Sequence, residues 1–218
     1  MKVLNVLAFC FFISVASVAQ SRTDDTQQNW RFKVFLDDSP IGYHHYDIKR
    51  HGDTYQVSSK AEFNVKFLFL SVYDYFHENL EIWQDQCLNS LNSSTNDNGE
   101  VVFVNVIEDN NVLKIETPTG VVETTECLSS FAYWNPELLN TKLLLNAQTG
   151  ELVDIDFKNI GKELITLGDQ SIESELYQLK GKDIEINLWY SSEKEWLVLE
   201  SITEGGYVLR YQRESKVQ

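Results

Sequence analysis

An all-β fold with minor helix is what this sequence predicts: an antiparallel meander forming a curved sheet, half-barrel or clam, with one short covering helix. Three observations predict it. Apolar and polar residues alternate with period two over most of the chain after Trp30. The alternating runs are short and are separated by Asn, Asp and Gly, the residues of tight hairpin turns. Nowhere do strand patterns alternate regularly with helical ones, as a parallel α/β sheet requires.

The first strand pattern places Trp30, Phe32, Val34 and Leu36 on one face, with Arg31 and Lys33 on the other. Asp38-Ser39-Pro40 supplies a turn, and Ile41 to Arg50 is the returning strand. After Gly52-Asp53, one face carries Tyr55, Val57, Ser59, Ala61, Phe63 and Val65 while Gln56, Ser58, Lys60, Glu62 and Asn64 occupy the other. An aromatic-rich strand over Val72–Asp85 follows, then Cys87–Thr95, a turn at Asn96–Gly99, Val101–Ile107, a turn at Asn110-Asn111, and Val112–Thr117.

One stretch breaks the rhythm. In Ser129–Leu145, Asn135 is placed to cap a short helix whose first position is Pro136, where a missing N–H costs nothing. That helix is expected to pack on the sheet or to cover an opening. Strands resume at Leu152–Phe157, Ser171–Leu179, Ile184–Tyr190, Trp196–Thr203 and Tyr207–Arg213. So many strands in one sheet must close or curl, because long flat edges template aggregation.

The N-terminus reads as a secretory signal over residues 1–19: Lys2, an apolar run from Val3 to Val15, and Ser17-Val18-Ala19 before Gln20. The run falls short of the roughly 20 apolar residues that span a bilayer, so no transmembrane anchor is expected after removal. Residues 20–29 are polar and aperiodic, a flexible leader, and 30–215 are expected to form a single antiparallel β domain. Export places the chain in a periplasmic or secreted setting. With Cys10 lost in the signal, Cys87 and Cys127 remain, and an oxidising compartment pairs them as a structural disulfide.

The formal charge is −15, and removal of the one lysine in the signal makes it one unit more negative. Such a surface repels phosphate backbones, so no nucleic-acid partner is expected. Catalytic signatures are absent: no nucleophile elbow, phosphate-binding glycine loop or dinucleotide fingerprint occurs. His77-Glu78-Asn79-Leu80-Glu81 approaches a zinc-protease pattern, but Glu81 stands where the second histidine belongs, and the segment is a strand. His44 and His45 are adjacent on a strand and therefore point to opposite faces. No metal, cofactor or catalytic residue is assigned.

Aromatic clusters carry the strongest hint of a ligand. Tyr43, His45, Tyr75, His77, Phe131, Tyr133 and Trp134 are the candidate ligand-binding residues, as an apolar cavity with a few oriented polar tips would need. Core packing is the competing reading, since aromatics dominate any β interior. Phe67-Leu68-Phe69-Leu70 is either a buried crossing or a rim that touches a lipid or a partner.

Several segments together resemble a family of exported Gram-negative bacterial proteins that carries a domain-of-unknown-function label. They are Ile41-Gly42-Tyr43-His44, Val72–Glu78, Phe131–Pro136, Leu144–Glu151, Leu188-Trp189-Tyr190 and Trp196–Ser201. The resemblance implies a periplasmic setting and transfers no catalytic residues. More distantly, the meander looks like the half-barrel of periplasmic lipoprotein carriers, which hold acyl chains against a curved sheet. The function expected is therefore a periplasmic, non-enzymatic binding or carrier protein for a lipid-like or apolar small molecule. The alternatives are a structural or assembly factor acting through a protein surface, and an uncatalogued enzyme.

Overall fold

In a computed structural model the chain is described over residues 25–67 and 70–214. The expected signal segment, the leader up to residue 24 and the side chains of the Phe67–Leu70 segment lie outside the described residues. The rest forms one open, curved sheet of fifteen strands in the order β8-β7-β6-β5-β4-β3-β2-β1-β15-β14-β13-β12-β11-β10-β9. In chain order the strands are β1 Thr26–Leu36, β2 Ser39–His51, β3 Thr54–Phe67, β4 Leu70–Gln84, β5 Cys87–Asp97, β6 Glu100–Asp109, β7 Val112–Thr117 and β8 Gly120–Thr124. After these come β9 Ser129–Ser130, β10 Leu143–Leu145, β11 Leu152–Leu167, β12 Gln170–Gly181, β13 Ile184–Ser191, β14 Trp196–Ile202 and β15 Val208–Arg213. Every pairing is antiparallel except β9 with β10.

The expected meander is present, with one long-range seam: β1 pairs with β15, joining the first described strand to the last at mid-sheet. Curvature has local causes. Register shifts at Val34/Phe35, Val65/Lys66, Ile82/Trp83, Asn159/Gly161 and Trp189/Tyr190 each insert a bulge that bends its strand. The hairpin at Asn98-Gly99 has positive φ at both residues, as does that at Asn110-Asn111, the backbone twist that two-residue hairpins require.

Three sequence expectations need correction. Residues 26–29, read above as part of a flexible leader, are strand: Thr26–Asn29 pair with Asp47–Arg50, and they lack alternation since they are exposed and bonded on that side to β2 alone. The strand read as Leu152–Phe157 continues to Leu167, its second half mostly exposed and so without an apolar face to reveal it. The covering helix is a single 3-10 turn, Pro136–Asn140. Asn135 caps it as expected, its side-chain oxygen accepting from the N–H of Glu137 at 3.1 Å.

The concave face holds the core. Phe32 and Trp196, both fully buried, stack at 4.0 Å between ring centroids, with Tyr46 edge-on to each. Burying rings of this size contributes about 1.5–3 kcal/mol apiece. What keeps the sheet curled is a strap, residues 127–150, which leaves β8 and runs across this face. The Cys87–Cys127 disulfide fastens its start to β5, with Cα atoms 5.1 Å apart. The N–H of Leu88 then donates to the carbonyl of Leu128. Further along, the Tyr190 hydroxyl donates to the Tyr133 carbonyl at 2.9 Å and the Ser93 hydroxyl to that of Ala147 at 2.5 Å, so both halves of the sheet hold the strap.

Candidate functional site

Strand register builds the floor of a cavity beneath this strap. His44 on β2 lies opposite Ala61 on β3, which lies opposite His77 on β4, which lies opposite Thr95 on β5. Two residues along, and so on the same face, the row is Tyr46, Ser59, Asn79 and Ser93; the next is Ile48, Val57, Glu81 and Leu91. The middle column, Val57, Ser59 and Ala61, is small. Larger neighbours on β2 and β4 therefore stand around a hollow.

That hollow has a volume of about 250 Å³. Phe131, Tyr133 and Trp134 of the strap roof it, and Ile186, Trp196 and Tyr211 form the far wall. Exposed Gln148 and half-buried Ile184, Ser201 and Leu209 mark the side on which it meets solvent. The lining is mostly apolar; polar Ser59, Ser130, Asn146, Gln148 and Ser201 stand around it, and His44, His77, Asn79 and Glu81 form a polar patch on β2 and β4.

Those polar groups are tied down. Nδ1 of His77 lies 2.8 Å from the Thr95 hydroxyl, and Nδ1 of His44 lies 3.3 Å from that of Tyr46. Glu81 accepts three hydrogen bonds: from Ser130 and Asn79 on Oε1, each at 2.8 Å, and from the Trp83 indole on Oε2 at 2.7 Å. Burial governs their ionisation. It lowers His77 to about 4, and lowers His44 well below the ordinary histidine value with help from repulsion by His77 and His45. Burial also raises the Glu81 carboxyl, against the opposing pull of its three donors, and raises the phenols of Tyr46, Tyr133 and Tyr211. Near neutrality both cavity histidines are uncharged, and no Lys or Arg lines the space.

Of the residues singled out from sequence, His77, Phe131, Tyr133 and Trp134 line this cavity. Tyr75 sits one step along β4 from His77, its ring 6.4 Å away and stacked on Phe63 at 4.9 Å, outside the lining. Tyr43 and His45 do not belong with the others. They occupy the opposite face of β2, stacked on each other at 4.3 Å, with the Tyr43 hydroxyl donating to Glu62 at 2.9 Å. The residues of β2 that face inward are His44 and Tyr46. A signal for this was available: Asp47 and Lys49 share the parity of Tyr43 and His45, and charged residues belong on the solvent side.

Asn79, Glu81 and Ser130 were also missed. Along the middle of β4 polar His77, Asn79 and Glu81 face inside, on the same face as buried Tyr75 and Trp83, while Leu80 is 43% exposed outside. The other face carries Asp74, Glu78 and Gln84 beside Val72, Leu80 and Ile82, so a hydrophobic pattern alone does not decide which face of the strand is buried. His77 and Glu81, the positions of the aborted zinc pattern, do share a face, but as residues i and i+4 of a strand. Among the described residues no group of three or more His, Cys, Asp or Glu side chains gathers as a metal site. No helix among them is long and apolar enough to cross a membrane.

Fold and site together define an open, strapped β-barrel-like protein with a small interior cavity. The chain belongs to the family described as Domain of unknown function (DUF6134), which matches residues 32–214. A similar solved structure is the crystal structure of a beta-barrel-like protein of the domain of unknown function DUF1849 from Brucella abortus. The two align over 88% of this chain and 97% of that one, with a TM-score of 0.63 and 9% sequence identity, a likeness of fold alone. No curated protein sequence matches the chain.

Proposed function

We propose that this is an exported, periplasmic, non-enzymatic binding or carrier protein, and that it holds a small lipid-like or largely apolar molecule between the concave sheet and the strap. One observation carries the reading: a cavity of about 250 Å³, mainly aromatic and aliphatic in lining, with polar side chains set among them. Small-molecule sites have this make-up, at volumes of about 300–1000 Å³. The cavity lies just below that range, so it suits a compact molecule or the end of a longer one. The Cys87–Cys127 disulfide supports the exported setting, because such bonds persist in oxidising compartments. The neutral histidines and the engagement of Glu81 by three donors favour holding over proton transfer.

The test is native mass spectrometry of protein purified gently from its own compartment, followed by solvent extraction of whatever it carries. A stoichiometric small molecule, lost when the cavity is filled by substitution, is the expected result. Protein that is uniformly free of any small molecule, in cells at all growth stages, would overturn the reading.

A further inference from the structure

A second space opens beyond the strap. This groove lies between the edge strand β8 and the start of β11 with the β12–β13 turn, and its volume is about 910 Å³. Asn146 and Ile184 line both it and the cavity, so the two spaces adjoin. Between them stands the end of the strap, with Ala147 and Gln148 toward the cavity and Thr149 and Gly150 toward the groove. That turn is closed by the N–H of Gly150, which donates to the Asn146 carbonyl at 2.8 Å, and it presses so near β7 that a Cβ on Gly150 would collide with Thr117.

The floor of the groove is apolar and uncovered. Leu91, Val106, Ile115 and Val122 stand opposite one another on β5 to β8 and so share the inward face. The first three are buried, whereas Val122 is 53% exposed, left bare where the strap ends. Half-buried Leu152 and Ile184 line the other wall. The four charged residues of the lining, Glu151, Asp154, Asp183 and Lys182, are all exposed and form its rim.

Building on the binding role proposed above, we infer that the groove is a second compartment of the same site and that the occupant is a single-chain amphiphile with a cationic or uncharged head. The end of its alkyl chain fills the cavity, the chain passes Asn146 and Ile184, and the head rests in the groove at the acidic rim. The cavity alone holds only part of such a molecule, and the groove supplies the remaining length along an apolar floor. The head belongs in the groove because a polar group keeps its water there. Glu81, the carboxyl that lines the cavity, already takes three donors. An anionic head is disfavoured, since it would meet three carboxylates against one ammonium on a chain of formal charge −15.

Alkyltrimethylammonium probes with butyl, octyl and dodecyl chains, and dodecanoate as the anionic counterpart, test this on the full purified chain below their micelle concentrations, by calorimetry and NMR. Affinity is expected to rise about threefold with each added methylene, as for burial of a CH₂ group, and to go on rising from octyl to dodecyl. Dodecanoate should bind more weakly than the dodecyl cation. In Val122→Asp, which puts a charge on the groove floor, the gain from octyl to dodecyl should disappear while the butyl probe binds as before. General attraction of cations to an acidic surface predicts the reverse, tighter binding to that variant. If Val122→Asp loses its native circular dichroism, a dodecyl cation carrying a nitroxide on its head replaces it, and should broaden the methyl signals of Val122 and Leu152 in the wild type more than the ring signals of Trp134. Affinity that stops rising at octyl, tighter binding to Val122→Asp, broadening centred on Trp134 or preferred binding of dodecanoate overturns the inference and leaves the carrier role standing. Failure of every probe overturns it too, and extraction of a native occupant decides separately whether the carrier role survives.

Discussion

The hydroxyl of Ser130 donates to the carboxyl of Glu81 at 2.8 Å, a contact between residues 49 positions apart that pins the strap to strand β4. Glu81 is 4% exposed and gathers the Asn79 and Trp83 donors as well, so its carboxyl is the polar centre about which the strap, β4 and the cavity floor are organised. Ser130→Ala should therefore cost about 1 kcal/mol of unfolding free energy, and Glu81→Leu, which orphans three buried donors, several times that. Denaturant titration of both variants checks the ratio.

Glu81 also sets a pH dependence of definite sign. Its carboxyl is raised in the folded state, so the fold binds a proton more readily than the unfolded chain. The contribution is fully present below the ordinary carboxylate value and is lost as pH rises through the raised one. The difference in stability between wild type and Glu81→Gln should accordingly shift against wild type as pH increases across that window. A difference curve that moves the other way removes burial as the dominant influence on this group.

His77 does the reverse. Lowered to about 4 against about 6.5 in an unfolded chain, it contributes stability that is complete above about 6.5 and is lost as pH falls toward 4. The loss amounts to roughly 3 kcal/mol at most for a shift of that size. Relative to His77→Gln, wild type should weaken over that interval and level off below it, as measured by urea midpoints at matched ionic strength.

Filling the hollow separates binding from folding. Ser59 stands in the middle column of the floor, between Tyr46 and Asn79, with free space above it. Ser59→Leu should displace any small molecule from the purified protein while its thermal midpoint changes by only a few degrees, because the added carbons occupy cavity and not packed core. Retention of the full complement of ligand in this variant would place the binding site elsewhere.

Two covalent features should matter for stability. Removing the Cys87–Cys127 bond in Cys87→Ser/Cys127→Ser is expected to cost about 4 kcal/mol in the chain-entropy account of a loop of 40 residues, with faster hydrogen exchange centred on the strap. Gly42 is a second constraint, since a Cβ there would collide with the carbonyl oxygen of Glu62 on β3. Gly42→Ala should separate β2 from β3 at the open end of their hairpin, far from its Gly52-Asp53 turn, and lower the yield of folded protein, measured by expression in an oxidising compartment.

Much of this was legible along the chain. Period-two runs and their Asn, Asp and Gly turns are local, and they determined by themselves that the protein is an antiparallel meander; reading residues 1–19 as a signal left Cys87 and Cys127 as the pair that the structure bonds. Asn135-Pro136 likewise announced a capped helical turn. Pairing partners at long range are not local. Only the tertiary structure decided that β1 meets β15 and that residues 127–150 cross the concave face, whereas the inward turn of His44 in place of His45 was already carried by the parity of Asp47 and Lys49. The reason is physical: alternation states that a strand has two faces, but which one is buried depends on what the folded chain lays over it. On β4 the strap covers the polar stretch His77, Asn79 and Glu81, where Glu81 meets Ser130, and no pattern within β4 records that.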